Sequence, residues 1–144
     1  MATVEEHRAV YRRAIEAISR GDAAALEQLL APDVVDHNPM PGQSPGVEGF
    51  KEWMRAARTS FPDLEGTIED LVAEGDRIVG RVTWRGTQKG AFVGIGPTGK
   101  TVSFTAIHIV HLVDGRIAEW WGVADLLGAL EQVGASVAAG LAAP

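Results

Sequence analysis

The chain has 144 residues, 46% of them apolar, no cysteine, and a formal charge of -6 from 13 basic and 19 acidic side chains. That length suits one domain with a sizeable buried core, and the acidic balance lacks the electrostatic footprint of a nucleic-acid binder. Without cysteine there are no disulfides, thiol nucleophiles or thiolate zinc sites. No stretch approaches the ~20 apolar residues of a membrane-spanning helix, and the charged N-terminus reads as no signal peptide, so a cytoplasmic protein that engages neither nucleic acid nor membrane is expected.

Val4, Tyr11, Ile15 and Ile18 recur at helical spacing. Thr3 and Glu6 form a capping box at the start of that helix, and Gly21 suits a left-handed end. Asp22 opens a second short helix carrying Leu26, Leu29 and Leu30, stopped before Pro32. Residues 33–38 read as a short extended piece. Pro39, Pro41, Gly42, Pro45 and Gly46 then mark a loop. Val47, Phe50, Met54, Ala57 and Phe61 form a third helical stripe.

From residue 64 the period changes to two. Leu64–Glu74 predicts a strand, Gly75-Asp76 a turn, and Ile78, Gly80, Val82 and Trp84 one face of the next strand. A Gly-rich connection spans residues 86–100. TVSFTAIHIVHLV and RIAEWWGVA are then strands joined by an Asp114-Gly115 hairpin turn, and a short helix begins at Asp125. Helices followed by antiparallel strands predict an α+β fold, its twisted sheet leaving a concave interior. One domain over residues 1–134 with an Ala/Gly-rich tail at 135–144 is expected.

Two motifs invite stronger readings than their context allows. Gly94 to Thr101 matches the G-x-x-x-x-G-K-[ST] phosphate loop, but β-branched, alternating residues follow where that motif needs a helix N-terminus. A hairpin connection is expected instead. His108 and His111 make H-x-x-H, a spacing that sends them to opposite faces of a strand and argues against a shared metal.

His108 interrupts the otherwise apolar face of Val102, Phe104, Ala106, Val110 and Leu112. It is either a core histidine satisfied by a local partner or a polar group inside an apolar pocket. Ile117, Glu119, Trp121, Val123 and Asp125 are expected on one face of the last strand. Asp125 is either a helix N-cap or a carboxylate in an apolar cup, where desolvation would strengthen it as a base. Glu119 is a candidate partner for Arg81 or Arg85 across the sheet. Asp36 and His37 border the Pro/Gly loop, as site residues or as turn chemistry. Tyr11, the single tyrosine, aims its hydroxyl into the interior or packs with its tip in water.

DHNP, GVEGFKEWMRAARTSFPDL, EGDRIVGRVTWRGTQKGAFVGIGPTGKTVSF and HIVHLVDGRIAEWWGVADLLGALEQVG together resemble the SnoaL-like polyketide cyclases of the nuclear transport factor 2-like superfamily, over roughly residues 5–134. The resemblance implies a cone-shaped α+β barrel whose curved antiparallel sheet wraps the N-terminal helices, in a homodimer or higher homo-oligomer. It implies an intramolecular aldol condensation of a small hydrophobic carbonyl substrate, without metal or cofactor. By position in W-x-x-x-D the general acid/base would be Asp125, with His37 and His108 near the pocket. Trp121, Phe104, Tyr11, Trp53 and Phe50 are the expected substrate-lining side chains. Gln88 stands where the family usually has histidine, His111 where it has arginine, and Trp120 is bulkier than the common residue there. A dehydratase or isomerase of a small hydrophobic substrate, and a non-catalytic ligand-binding module, are the competing readings, since one fold hosts many functions.

Overall fold

Local signals set the helices of the computed structural model, which describes residues 2–135. α1 spans Val4–Arg20, with the Thr3–Glu6 capping box formed in both directions and Gly21 closing it at φ 71°. α2, Ala23–Leu29, starts on an Asp22 side chain that accepts from the Ala25 amide. α3, Gly46–Ser60, buries Val47, Phe50 and Met54 along one stripe. α4, Leu126–Gln132, follows the last strand. The Ala/Gly tail from residue 136 lies outside the described residues. No described helix is long and apolar enough to cross a membrane.

Five strands form one sheet: β1 Leu30–Asp36, β2 Glu65–Glu74, β3 Arg77–Thr87, β4 Thr101–Val113 and β5 Arg116–Ala124. Their spatial order is β1-β5-β4-β3-β2. Three neighbouring pairs are antiparallel, but β1 runs parallel to β5, so the sheet is mixed rather than wholly antiparallel. The architecture is the expected α+β cone, with a curved sheet that does not close. The extended piece expected at 33–38 begins earlier, at Leu30, and runs through Pro32. An edge strand tolerates proline because one side of it lacks a ladder partner.

The inner face of the sheet and the helices enclose the core. Along β4, Val102, Ala106, His108, Val110 and Leu112 are buried while Ile107, Ile109 and Val113 are exposed, which is the alternation that the sequence predicts. β5 departs from it. The register slips between His111 and Leu112, so that His111 faces Glu119 while Leu112 faces Ile117. That bulge reverses the alternation. Ile117 and Trp120 are buried, and Glu119 and Trp121 share the outer face with His111.

The phosphate-loop lookalike is a strand connection. The Gln88 side chain, wholly buried, donates to the Ile95 and Gly96 carbonyls and accepts from the Thr98 amide and hydroxyl. One amide thereby satisfies the turns of an otherwise irregular segment, and β4 rather than a helix follows.

Candidate active site

The most deeply buried polar contact joins α1 to the middle of β4. Tyr11 Oη lies 2.8 Å from His108 Nδ1, with Tyr11 0% and His108 8% exposed. Gly80, opposite His108 in the β3–β4 register, creates the seat for the phenol. A Cβ at residue 80 would stand 2.1 Å from Tyr11 Oη. Burial pushes the Tyr11 hydroxyl well above the usual phenol range and lowers His108 to about 4. Both groups are therefore neutral near pH 7. Tyr11 has no other hydrogen-bond partner among the described residues, so its proton is satisfied only by donating to Nδ1. That bond fixes the tautomer with the remaining proton on Nε2.

Trp120 of β5 packs against this pair. Its ring centroid lies 4.9 Å from that of His108 and 6.1 Å from that of Tyr11, and Phe50 of α3 meets it edge-on at 5.5 Å. Trp120 is 6% exposed. His108 Nε2 and Trp120 Nε1 have no hydrogen-bond partner among the described residues, yet neither is sealed from solvent. Two N–H donors in apolar surroundings thus stand free beside each other. An oxygen carrying partial or full negative charge is the complementary ligand.

The remaining expected site residues divide between other places. Phe104 lies on the inner face opposite Trp84, and Trp53 meets Trp84 edge-on at 6.4 Å, forming an apolar cluster further along the interior. His37 and Trp121 stand on the outer face instead, stacked at 4.3 Å and 2°. There His37 Nε2 donates to Glu119 Oε1 at 3.2 Å. His111 Nδ1 donates to Glu119 Oε2 at 2.8 Å, and His111 Nε2 approaches Asp76 Oδ2 at 2.9 Å. The His111 and His37 bonds hold the Glu119 carboxyl below its usual range, and His111 does the same for Asp76. Glu119 therefore pairs with histidines rather than with Arg81, which bonds Asp70, or Arg85. Asp36 takes the turn-chemistry role, accepting from the Asn38 amide and from Gln43.

Asp125 is exposed, and its Oδ1 accepts from the Gly128 amide at 2.9 Å as the N-cap of α4. The desolvated setting that would strengthen it as a base is not where this carboxylate lies. Among the described residues no group of three or more His, Asp or Glu side chains is arranged to hold a metal ion.

Trp120 and Gly80 belong to the site but were not among the expected site residues. The signal for Trp120 was the β5 bulge, invisible to a simple alternation. The signal for Gly80 was a glycine in mid-strand, which often marks close approach by a neighbour.

A family model described as SnoaL-like polyketide cyclase matches residues 8–133. The chain belongs to that family. Among SnoaL-like relatives, the aklanonic acid methyl ester cyclase DauD of Streptomyces sp. (strain C5) is 30% identical over 130 residues, covering 85% of this chain and 78% of that protein. The nogalonic acid methyl ester cyclase of Streptomyces nogalater is 24% identical over 123 residues, covering 83% of this chain and 91% of that protein. Among solved structures, TsrD from Streptomyces laurentii superposes with a TM-score of 0.87 at 32% identity, covering 94% of this chain and 100% of that one. Both curated relatives named here are methyl ester cyclases.

Proposed function

We propose that this protein is an aldol-type cyclase acting on a polyketide-like carbonyl substrate without a cofactor. The observation that carries the reading is the pair of free N–H groups, His108 Nε2 and Trp120 Nε1, in a neutral and largely apolar setting. The names of the curated relatives, cyclases of methyl esters, support the reaction class.

Loss of a proton from the carbon beside a carbonyl gives an enolate, and the two N–H groups hold its oxygen. The enolate carbon attacks a second carbonyl of the same molecule, a C–C bond forms, and the resulting alkoxide takes up a proton. Mass is conserved. Neutral donors fixed beforehand favour the charge that develops, an effect worth about 10²–10³ in rate per donor in oxyanion sites. Tyr11 acts through His108 by holding its tautomer. Phe50 and Trp120 keep the surroundings apolar, and binding both ends of one folded substrate supplies proximity.

The proton leaving carbon goes to Asp125, the acid/base that the family resemblance implies. A homodimer or higher homo-oligomer is part of the proposal, and the exposed Ile107, Ile109 and Val123 of the outer sheet face are the surface it would bury.

The test is incubation with aklanonic acid methyl ester, followed by mass spectrometry and product structure. A ring-closed product of unchanged mass is expected. A product lighter by one water would favour a dehydratase, and unaltered substrate would favour a binding module; either result contradicts the cyclase reading.

A further inference from the structure

A cavity of about 580 Å³ opens between α1, the end of α3 and the start of β2, and shares no lining residue with the candidate active site. Arg12, Arg20 and Arg58 line it beside Glu16, Asp63 and Glu65. A second cavity of about 340 Å³, which also reaches Gly21 and Arg55, shares Arg20 and Arg58 with the first. Most of these charges are committed. Arg20 pairs with Glu16 at 2.6 Å, and both oxygens of Asp63 accept from Thr87. Arg58 differs, because its partners are carbonyls. Nη1 donates to Ser19 O and, at 3.5 Å, to Leu64 O, and Nη2 donates to Pro62 O at 2.9 Å. Ser19 O is one of the α1 carbonyls that lack an intrahelical donor, so the fold fixes this guanidinium in place without neutralising it. Two of its five N–H groups remain, on Nε and on Nη2, and Nε is not sealed from solvent. Arg12 is exposed and enters no ion pair among the described residues.

We infer that this cavity is a second binding site, for a small organic carboxylate held by Arg58 Nε and Nη2, with Arg12 as the other cation. A planar carboxylate matches a guanidinium edge with two parallel hydrogen bonds. Arg58 is already immobilised by three carbonyls, so a ligand need not pay to order it. The lining also sets the charge of the ligand. Three guanidinium groups face three carboxylates there, so a single negative charge finds Arg58 and Arg12 while a second one meets Asp63 and Glu65. A phosphate monoester, carrying close to two charges at neutral pH, is therefore disfavoured. The half-buried Ile68 and the aliphatic stem of Arg12 are the surface against which the apolar part of the ligand lies. Nothing in this assignment depends on the cyclase reading.

The probe is benzoate, titrated into the whole chain and followed by the arginine Nε–H signals in ¹H–¹⁵N NMR, with methyl benzoate and phenyl phosphate as comparisons. Benzoate shifts the Arg58 and Arg12 signals saturably, methyl benzoate shifts neither, and phenyl phosphate binds more weakly than benzoate. Arg58→Lys keeps the charge but loses the paired donors, and it binds benzoate about tenfold or more weakly. Thermal unfolding checks that this variant folds, since Arg58 also caps α1. If it does not fold, Arg12→Gln takes its place. That residue makes no contact the fold needs, and its loss weakens benzoate binding several-fold. Unmoved Arg58 and Arg12 signals with benzoate, or equal shifts with methyl benzoate, would overturn the site. Undiminished binding by a folded Arg58→Lys, or by Arg12→Gln where Arg58→Lys fails to fold, would overturn it as well. Phenyl phosphate binding as tightly as benzoate would overturn the assignment to a carboxylate. None of these readouts requires turnover, so they stand apart from the cyclase test.

Discussion

Tyr11 and His108 are 97 residues apart in sequence and 2.8 Å apart in the core. One hydrogen bond between them joins α1 to β4 and decides which imidazole nitrogen faces the site. Tyr11→Phe removes the donor and leaves Nδ1 buried without a partner, which costs about 1–3 kcal/mol. Urea unfolding should show that loss. Turnover should fall further than stability alone explains, because the ring is then free to carry its proton on Nδ1 and to present Nε2 as a bare acceptor.

His108 also sets a pH dependence. Burial lowers it from 6.5 to about 4. Between those values the unfolded chain binds more protons than the folded one, so stability falls as pH drops through that window and is unaffected above it. The difference corresponds to a loss on the order of 3 kcal/mol. His108→Gln should remove this component, so its stability between pH 6.5 and 4 declines less steeply than that of the unsubstituted protein in paired denaturant titrations.

Gly80 tests the seat beneath the phenol. A methyl group there would overlap Tyr11 Oη at 2.1 Å and Cζ at 2.4 Å, so Gly80→Ala must displace the ring. Overpacking of this kind costs about 1–3 kcal/mol. The melting temperature should drop, and the His108 side-chain resonances should move, although residue 80 titrates nothing.

The outer face carries a separate, electrostatic prediction. The Glu119 carboxyl is held low first by His111 and then by His37. A depressed carboxyl contributes stability above its unfolded pKa and loses it as pH falls through the folded value. Glu119→Gln should therefore be less stable than the unsubstituted protein at neutral pH, with the gap closing under acid conditions. Thermal melts at several pH values would show the convergence; a gap that persists in acid would mean packing, not charge, is responsible.

Asp125 separates its two roles cleanly. Asn caps helices about as well as Asp, whereas Ala costs about 1 kcal/mol. Asp125→Asn should keep fold stability and abolish turnover. Near-full turnover in a protein of unchanged stability would remove the base role from this carboxylate.

Much of this was legible in the sequence because it is local. The Thr3–Glu6 box, the Gly21 cap, the Asp114-Gly115 turn with φ 51° and 77°, and the alternation along β4 depend on residues a few positions apart. The burial of His108 followed from the same alternation. What the sequence left open depends on long-range register. The bulge at Leu112–Ile117 exchanges Trp120 for Trp121 on the inner face. The parallel pairing of β1 with β5 carries His37 to the outer surface. Asp125 sits at a strand–helix junction where a cap and a catalytic acid share one signature.

Oxygen binding at this site requires a neutral His108 that carries its proton on Nε2. Selective ¹⁵N labelling of histidine and NMR of the imidazole nitrogens from pH 5 to 8 measures that directly. A protonated Nε2 and an unprotonated, hydrogen-bonded Nδ1 are expected across the whole range, with the pattern lost in Tyr11→Phe. A His108 that is imidazolium at pH 7, or that carries its single proton on Nδ1, would contradict it.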